Sequence, residues 1–223
     1  MPAKNSLKQY LENSYYHIYN RGVEKRQVFL DQQDYTVFLS YLKEYLLPKN
    51  VEDLSKKLAD PNTSYKLKDK IIKLLRLNNF YSEITLLAYC LMPNHFHFMV
   101  KQNNAQSIDK FMNSLGTRYT MYFNRKYERV GSLWQSVYKA VLINTEEQYL
   151  YLSRYIHKQA LSPKGEERQP NSYAEYLGNR KTEWVQPDEV LSYFSTINPK
   201  LSYQSFIFTP EEEKIIDTIK IED

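Results

Sequence analysis

Two histidines stand two residues apart in the stretch CLMPNHFHFMV, which spans residues 90–100. Side chains two apart on a β-strand point to the same side, so His95 and His97 would face one way and Phe96 and Phe98 the other. Two neighbouring imidazoles could bind one metal ion, while the phenylalanines suit a core. An H-x-H pair also occurs often by chance, and two half-exposed histidines beside a turn would look the same. The pair alone therefore leaves metal binding open.

A second segment, YLSRYIHKQA at residues 151–160, offers a further ligand. A catalytic metal needs at least three protein ligands and an open position for substrate. Tyr155 and Gln159 are four residues apart and would share one face of a helix. An amide oxygen is compatible with Mg²⁺ or Mn²⁺, and the helix would place a tyrosine hydroxyl beside that metal. An amphipathic helix with an ordinary polar face explains the same spacing, so the spacing does not decide between the two.

The elements that would position these residues follow a recognisable order. Alternating and helical apolar patterns predict strand, helix, strand, strand, helix, strand, helix, and Asp31, Ser107 and Thr145 are the expected N-caps. This order predicts an α+β fold of the ferredoxin-like, split βαβ type, in which helices cover an antiparallel sheet. The predicted strands cover residues 15–22, 82–90, 95–101 and 133–143, and the predicted helices cover residues 31–47, 107–123 and 145–160.

Two segments lie outside this pattern. Residues 48–82 form an insertion that is rich in lysine and contains a helical stretch, KLKDKIIKLLRL. Residues 163–223 form a C-terminal extension with turn signals, whose last stretch from Glu211 is acidic and expected to fray. The chain is therefore predicted to be one domain, residues 1–162, on which the extension packs in part. The extension is expected to be ordered through Trp184, Tyr193 and Phe194.

Composition narrows the class of protein. The one cysteine, Cys90, excludes an internal disulfide and a cysteine zinc site, and it favours a reducing compartment. The N-terminal residues contain no apolar signal region, and no apolar run approaches the roughly 18 residues of a membrane-spanning helix. With 5 glycines and no phosphate-loop pattern, a nucleotide cofactor is not expected. A cytoplasmic protein without a membrane partner is predicted.

Positive charge is concentrated in residues 118–139. This segment holds five basic residues against one acid, Glu128, and its net charge of +4 equals that of the whole chain. Aromatic residues interleave with the cations, and single-stranded nucleic acid needs cations for its phosphates and rings for its bases. A solvated helix face over an aromatic core would give the same pattern, so the segment alone leaves both interpretations open.

Four motifs taken in order resemble one known family. They are YHIYNRG, YCLMPNHFHFMV, RYTMYFNRKYERVGSLWQ and YLSRYIHK. In this combination the chain, over residues 15 to about 195, resembles the HUH single-tyrosine transposases of the smallest bacterial insertion sequences. It is most similar to the REP-associated tyrosine transposases. The family fold is a ferredoxin-like sheet with the two histidines on a central strand, so the resemblance implies the same fold class as the patterns do.

The resemblance also implies roles for the candidate residues. His95 and His97 would be metal ligands, Tyr155 the nucleophile, and Gln159 would occupy the place of the third ligand. REP-associated relatives often have Asn followed by Pro there, whereas Gln159 is followed by Ala160, which matches the other branch of the family. The implied cofactor is Mg²⁺ or Mn²⁺, and no small-molecule substrate is implied.

The implied activity is cleavage and joining of single-stranded DNA, usually bound with a hairpin, in DNA transposition. Tyr155 would attack a scissile phosphate and form a 5′-phosphotyrosine link with a free 3′-OH. The family includes monomers and homodimers, and some dimers supply the tyrosine from the partner subunit. Residues expected to contact DNA are Asn20, Arg21, Asn94, Arg118, Arg125 and Lys139.

Two other functions remain open. A domesticated protein could bind DNA hairpins without mobility, and an intact set of candidate site residues does not argue against lost mobility. A metal-dependent phosphodiester hydrolase could use the histidine pair to activate water, and it would not need Tyr155. A covalent protein–DNA adduct would distinguish the transposase from both.

Overall fold

A four-stranded antiparallel sheet forms the centre of the fold in the computed structural model, which describes residues 10–209. The strands are β1 (Ser14–Arg21), β2 (Ile84–Met92), β3 (His95–Gln102) and β4 (Lys139–Leu142), in the spatial order β2-β3-β1-β4. β3 therefore lies between β1 and β2, and β1 is a central strand with a neighbour on each side. The predicted α+β class with an antiparallel sheet is confirmed.

Helices cover both faces of the sheet. They are α1 (Gln32–Leu46), α2 (Val51–Ala59), α3 (Tyr65–Arg76), α4 (Ser107–Lys126), α5 (Glu146–Ala160), α6 (Tyr173–Tyr176), α7 (Asp188–Leu191) and α8 (Tyr203–Phe208). Two 3-10 turns add to these, at Val23–Lys25 and Pro199–Leu201.

The larger core lies between one sheet face and helices α1 and α4. Phe96 and Phe98 of β3 alternate toward it, as the strand period requires, and both are buried. Phe38 of α1 and Leu115 of α4 are fully buried in the same cluster. α1 begins at the predicted cap, because the Asp31 side chain accepts the backbone N–H of Asp34.

The opposite sheet face packs against α5. Leu152, Ile156 and Ala160 of α5 form one apolar cluster with Cys90 of β2 and Met99 of β3. The predicted cap at Thr145 is present, since its hydroxyl accepts the backbone N–H of Gln148. The Gln148 side-chain oxygen in turn accepts the backbone N–H of Asn144, so the two side chains together satisfy two backbone N–H groups at the start of α5.

Two details differ from the sequence predictions. Ser107 does not cap α4, because it lies inside the helix and donates to the Glu83 carboxylate. The fourth strand is shorter than expected: β4 covers Lys139–Leu142, and the earlier part of the predicted strand makes an isolated bridge between Trp134 and Gly22. The Trp134 indole N–H donates to the carbonyl of Gly116 on α4.

The insertion contains two helices where the sequence indicated one. Asn50 caps α2 and Ser64 caps α3 through their side chains. No residue of α2 is buried, and α3 buries Ile71 alone. The insertion therefore adds mostly surface to the domain, and most of its cations are exposed.

The C-terminal extension packs back onto the domain in the described residues. Trp184 is buried and its ring lies 5.4 Å from that of Tyr89 on β2. Phe194 contacts Tyr203, whereas Tyr193 is half exposed. The acidic stretch from Glu211 lies outside the described residues, and the predicted boundary at residue 162 stays a prediction.

Candidate active site on the histidine face of the sheet

The sheet face that α5 covers carries three histidines, His17 of β1 and His95 and His97 of β3, and we call it the histidine face. In the antiparallel register His97 lies opposite Tyr19, and His17 lies opposite Met99. Residues opposite each other in such a pair point to the same side, so the three imidazoles share one face. The His95 and His97 rings are 5.0 Å apart and nearly perpendicular.

Hydrogen bonds at Nδ1 fix how the two β3 histidines can present their other nitrogen. His95 Nδ1 lies 2.6 Å from the side-chain oxygen of Asn94. The side-chain NH2 group of Asn94 donates to the carbonyl of Lys25. The oxygen can only accept, so the neutral His95 ring carries its proton on Nδ1 and its lone pair on Nε2. Metal ligation by imidazole requires a lone pair on the ligating nitrogen, which for His95 is then Nε2.

His97 has a similar contact with a different partner. Its Nδ1 lies 2.8 Å from His17 Nε2, and both side chains are buried. When His97 donates this hydrogen bond, its Nε2 carries the lone pair; when it accepts, Nε2 carries the proton and cannot bind a metal. His17 is therefore the group that selects between the two forms of His97.

Burial keeps these rings neutral. Burial lowers the pKa of His17 to about 3. Burial, together with the nearby His17, His95 and Arg21, lowers the pKa of His97 well below its ordinary value. A neutral imidazole is the metal-binding form, so His97 is in the protonation state that ligation needs at physiological pH.

The candidate nucleophile lies against the same face. The Tyr155 ring is half-buried, with its centroid 5.4 Å from that of His97 and 6.1 Å from that of His17, edge-on to both. Gln159 follows one helical turn later on α5 and is also half-buried. The helix thus brings Tyr155 to the histidines, and it places Gln159 on the adjoining turn.

The donor set available at this face is two imidazoles and one amide oxygen. Within residues 10–209, no three His, Cys, Asp or Glu side chains form a group that could hold a metal ion. A site here would depend on Gln159 for its third protein ligand. Two Nε2 lone pairs and a neutral amide are suitable donors for a divalent ion, so the residues present fit the implied group.

The six predicted DNA contacts divide between the two sides of the sheet. Arg21 lies opposite His95 in the register, and Asn94 precedes His95 in the chain. Lys139 lies opposite Tyr19, with its ammonium 5.5 Å from the Tyr19 ring centroid. These three residues are beside the histidines.

The other three are elsewhere. Asn20 points to the opposite face and donates to the carbonyl of Ser136. Arg118, on α4, pairs with the Glu44 carboxylate at 2.6 Å and stacks on the Tyr41 ring at 3.7 Å. Arg125 is exposed on α4. The structure therefore does not bring these three residues to the histidine face.

Two further histidines are not among the candidate site residues. His157 is buried between the Tyr203 hydroxyl at 2.7 Å and the Ser172 hydroxyl at 2.8 Å, so its role is structural. His17 was missed. The available signal was its place in YYHIYN, where the strand period sets it on one side with Tyr15 and Tyr19, but no local pattern indicates which strand lies beside it.

Part of the chain matches a family model. Residues 56–159 match the model described as "Transposase IS200 like". Over this segment the chain is similar to the IS200-like transposase family. The matched segment includes His95, His97, Tyr155 and Gln159, and it leaves out β1. The family predicted from the motifs is confirmed, and with it the enzyme class.

The comparisons with solved structures and with curated proteins give weaker similarities than the family model. One solved structure, described as a REP-associated tyrosine transposase bound to a REP hairpin, is 8% identical with a TM-score of 0.49, covering 82% of this chain and 98% of its own. A putative transposase from Deinococcus radiodurans R1 is 16% identical with a TM-score of 0.33, covering 71% and 98%. Both scores are below 0.5, so neither bears on function. No curated protein matches the chain. Within residues 10–209, no helix is long and apolar enough to cross a membrane.

Proposed function

We propose that this IS200-like transposase cleaves and rejoins single-stranded DNA with Tyr155 as the nucleophile. The observation that carries the proposal is the position of Tyr155, 5.4 Å ring to ring from His97 on a helix that lies across the histidine face. The packing of α5 supports the proposal, because it sets the Tyr155 ring edge-on to the rings of His17 and His97.

The proposed step is a transesterification. The Tyr155 phenol oxygen bonds to the scissile phosphorus, and the bond from phosphorus to the 3′-oxygen breaks. The phenol loses its proton and the released 3′-oxygen gains one, so protons balance. The number of phosphoester bonds is unchanged. A second 3′-OH can therefore reverse the step and join strands without ATP.

A divalent ion held by His95, His97 and Gln159 would polarise the phosphate and stabilise the charge that develops on it. The chain's own residues orient and protect this site. Asn94 and His17 hold the two imidazoles through their Nδ1 atoms. The apolar cluster under α5 keeps water from the buried side of the rings, which strengthens electrostatic interactions there.

Substrate contacts beside the site follow from charge. Lys139 is exposed at the start of β4, over the Tyr19 ring, and Arg21 lies next to His95 in the register. A phosphate approaching the histidine face would meet both cations. We propose that these residues contact the DNA backbone at the cleavage site, that the DNA carries a hairpin, and that the protein works as a monomer or a homodimer.

The test is adduct formation. The protein is incubated with hairpin-bearing single-stranded DNA and Mn²⁺ or Mg²⁺, then denatured and examined for a covalent protein–DNA band. We expect the band from the wild type and from Tyr151→Phe, a control one turn earlier on α5, and no band from Tyr155→Phe. A band from Tyr155→Phe would refute the nucleophile. Cleavage without any band would indicate the hydrolase, and binding without cleavage would indicate the domesticated binding protein.

A further inference from the structure

The loop from Gly22 to Phe29, which we call the β1 loop, packs against the turn between β2 and β3. The backbone N–H of Gly22 donates to the carbonyl of Asn94 at 2.8 Å. At the other end of the loop, the N–H groups of Val28 and Phe29 both donate to the carbonyl of Pro93, at 2.8 and 3.1 Å. Three backbone hydrogen bonds therefore hold both ends of the β1 loop on the turn that leads into the first histidine of the pair.

The middle of the β1 loop has an unfavourable backbone conformation. Glu24 and Lys25 have φ angles of 57° and 59°, in the left-handed region that a Cβ atom disfavours. Both side chains are exposed, so side-chain packing does not account for this conformation. Backbone hydrogen bonds hold it instead. The Lys25 N–H donates to the Gly22 carbonyl at 3.0 Å. The Val23 N–H donates to the Leu133 carbonyl at 2.9 Å. Such strain persists where the surrounding structure imposes it, and it is concentrated at functional sites.

Gly22 makes the close approach of the loop possible. Its φ of −61° suits any residue, so glycine is needed here for space. A Cβ atom at this position would lie well inside van der Waals contact of the Arg26 carbonyl oxygen and 2.8 Å from a side-chain carbon of Val28. A larger residue would therefore push the loop away from the turn that carries Asn94.

The loop aims one carbonyl at the side chain of Asn94. The Asn94 NH2 group donates to the Lys25 carbonyl at 3.3 Å, while the Asn94 oxygen lies 2.6 Å from His95 Nδ1. If this amide were turned over, its oxygen would face the Lys25 carbonyl, where two acceptors repel, and its NH2 group would face His95. The His95 Nδ1 would then have to accept, and the ring proton would move to Nε2. The Lys25 carbonyl therefore favours the amide orientation that leaves the lone pair on Nε2.

We propose that the β1 loop is a positioning element for the candidate metal site: its Lys25 carbonyl orients the amide of Asn94, and the amide selects the metal-binding tautomer of His95. This inference rests on the proposed function, in which His95 binds a divalent ion through Nε2. The loop acts through Asn94 and needs no contact with metal or DNA for this role. His17 makes the corresponding contact with His97 from β1. Both contributions come from residues that precede the segment matched by the family model.

The experiment compares two substitutions at one exposed position. Lys25→Pro forces φ to about −65° and removes the N–H that bonds to Gly22, so the carbonyl turns away from Asn94. Lys25→Gly loses the same side chain but accepts a positive φ, and it is the matched control. Gly22→Ala displaces the loop from its buried side. Gly178→Ala is the control for it, because Gly178 has a φ of 71° and no atom of residues 10–209 lies within 4 Å of an added Cβ.

Two measurements avoid both DNA and catalysis. Nitrogen-15 NMR of the metal-free protein, at about pH 8.5 where an imidazole of ordinary pKa is neutral, shows which ring nitrogen of His95 is protonated. The variant His95→Gln identifies the His95 signals by their absence. Isothermal titration with Mn²⁺ gives the metal affinity, and circular dichroism verifies that each variant is folded.

We expect the wild type and both controls to carry the His95 proton on Nδ1. Lys25→Pro and Gly22→Ala should move much of it to Nε2 and weaken Mn²⁺ binding by about 10- to 100-fold, as loss of an outer hydrogen bond does. Adding Asn94→Asp to Lys25→Pro should restore the Nδ1 proton and most of the affinity, because a carboxylate presents an oxygen to His95 in either orientation. A general distortion of the site would not be rescued in this way.

The proposal is overturned if folded Lys25→Pro keeps the wild-type tautomer, if Lys25→Gly shifts the tautomer equally, or if Asn94→Asp restores nothing. Lys25 is exposed, so this pair decides the question even if Gly22→Ala does not fold. If the loop variants behave as expected and the wild type forms no adduct with DNA, the role of the loop stands and the proposed function is refuted. An adduct from the wild type, with an unchanged tautomer in Lys25→Pro, gives the opposite conclusion.

Discussion

Replacing His17 tests whether it positions His97 for metal binding. His17→Phe keeps a ring in the buried space and removes the nitrogen that lies 2.8 Å from His97 Nδ1. His17→Gln retains a side-chain oxygen that can accept from the same atom. The two variants therefore separate loss of the hydrogen bond from loss of the imidazole.

The magnitude follows from the burial of the pair. His97 is 2% exposed, so no solvent replaces the missing acceptor when His97 binds a metal and carries its proton on Nδ1. A buried donor left without a partner costs about 1–3 kcal/mol, which corresponds to a roughly 5- to 150-fold change in a binding constant. Loss of an outer hydrogen bond to a metal-binding histidine typically costs about 10- to 100-fold. We therefore expect His17→Phe to weaken Mn²⁺ binding by at least tenfold and His17→Gln to weaken it less.

Isothermal titration of the metal-free protein with Mn²⁺ measures this affinity without relying on catalysis. His157→Gln is the matched control, because His157 is equally buried on the helix that carries Tyr155 but bonds to Tyr203 and Ser172. The control should lose stability and keep its affinity for Mn²⁺. If His17→Phe is folded and binds Mn²⁺ as tightly as the wild type, the positioning role of His17 is refuted.

Two further predictions concern stability. Asp34 is buried and accepts hydrogen bonds from Lys126, Tyr122 and Tyr127, so Asp34→Asn should lower the free energy of unfolding in urea by about 2–4 kcal/mol at neutral pH. Burial raises the pKa of the Asp34 carboxyl, but the hydrogen bonds that it accepts outweigh burial, so its pKa is lowered below the ordinary value. The charged carboxylate therefore stabilises the fold above about pH 4. The difference in unfolding free energy between the wild type and Asp34→Asn should shrink as the pH falls below that value. Ser172 bonds to His157 and accepts the backbone N–H of Tyr89, so Ser172→Ala should cost about 1–3 kcal/mol in the same assay while Mn²⁺ affinity is unchanged.

Local patterns were sufficient for most of the fold. The alternation in HFHFMV set Phe96 and Phe98 toward the larger core and both histidines toward the other face, and the structure has this division. The caps at Asp31 and Thr145 were visible because a cap depends on residues three positions apart. The spacing of Tyr155 and Gln159 on α5 was also a local property.

Contacts between segments that are distant in the chain could not be predicted from local patterns. His17 bonds to a residue 80 positions later, and only the register of β1 with β3 brings them together. Arg118 was expected to contact DNA, but Glu44 of α1 lies within reach of its guanidinium. Ser107 had the residue type and the position of a cap, yet the Glu83 carboxylate, 24 residues earlier, accepts its hydroxyl proton. In each case a tertiary partner competes with the local preference.

The central position of β1 also has a consequence for how the protein folds. β1 is the first strand in the chain, but both strands that hydrogen-bond to it, β3 and β4, are synthesised much later. Closing such long loops costs entropy before any contact repays it, which makes sheet assembly slow relative to helix formation. The order of synthesis also keeps the histidines of β3 apart from Tyr155 until α5 has emerged and docked. The candidate site therefore cannot form until three segments that are distant in the chain, β1, β3 and α5, have all been synthesised.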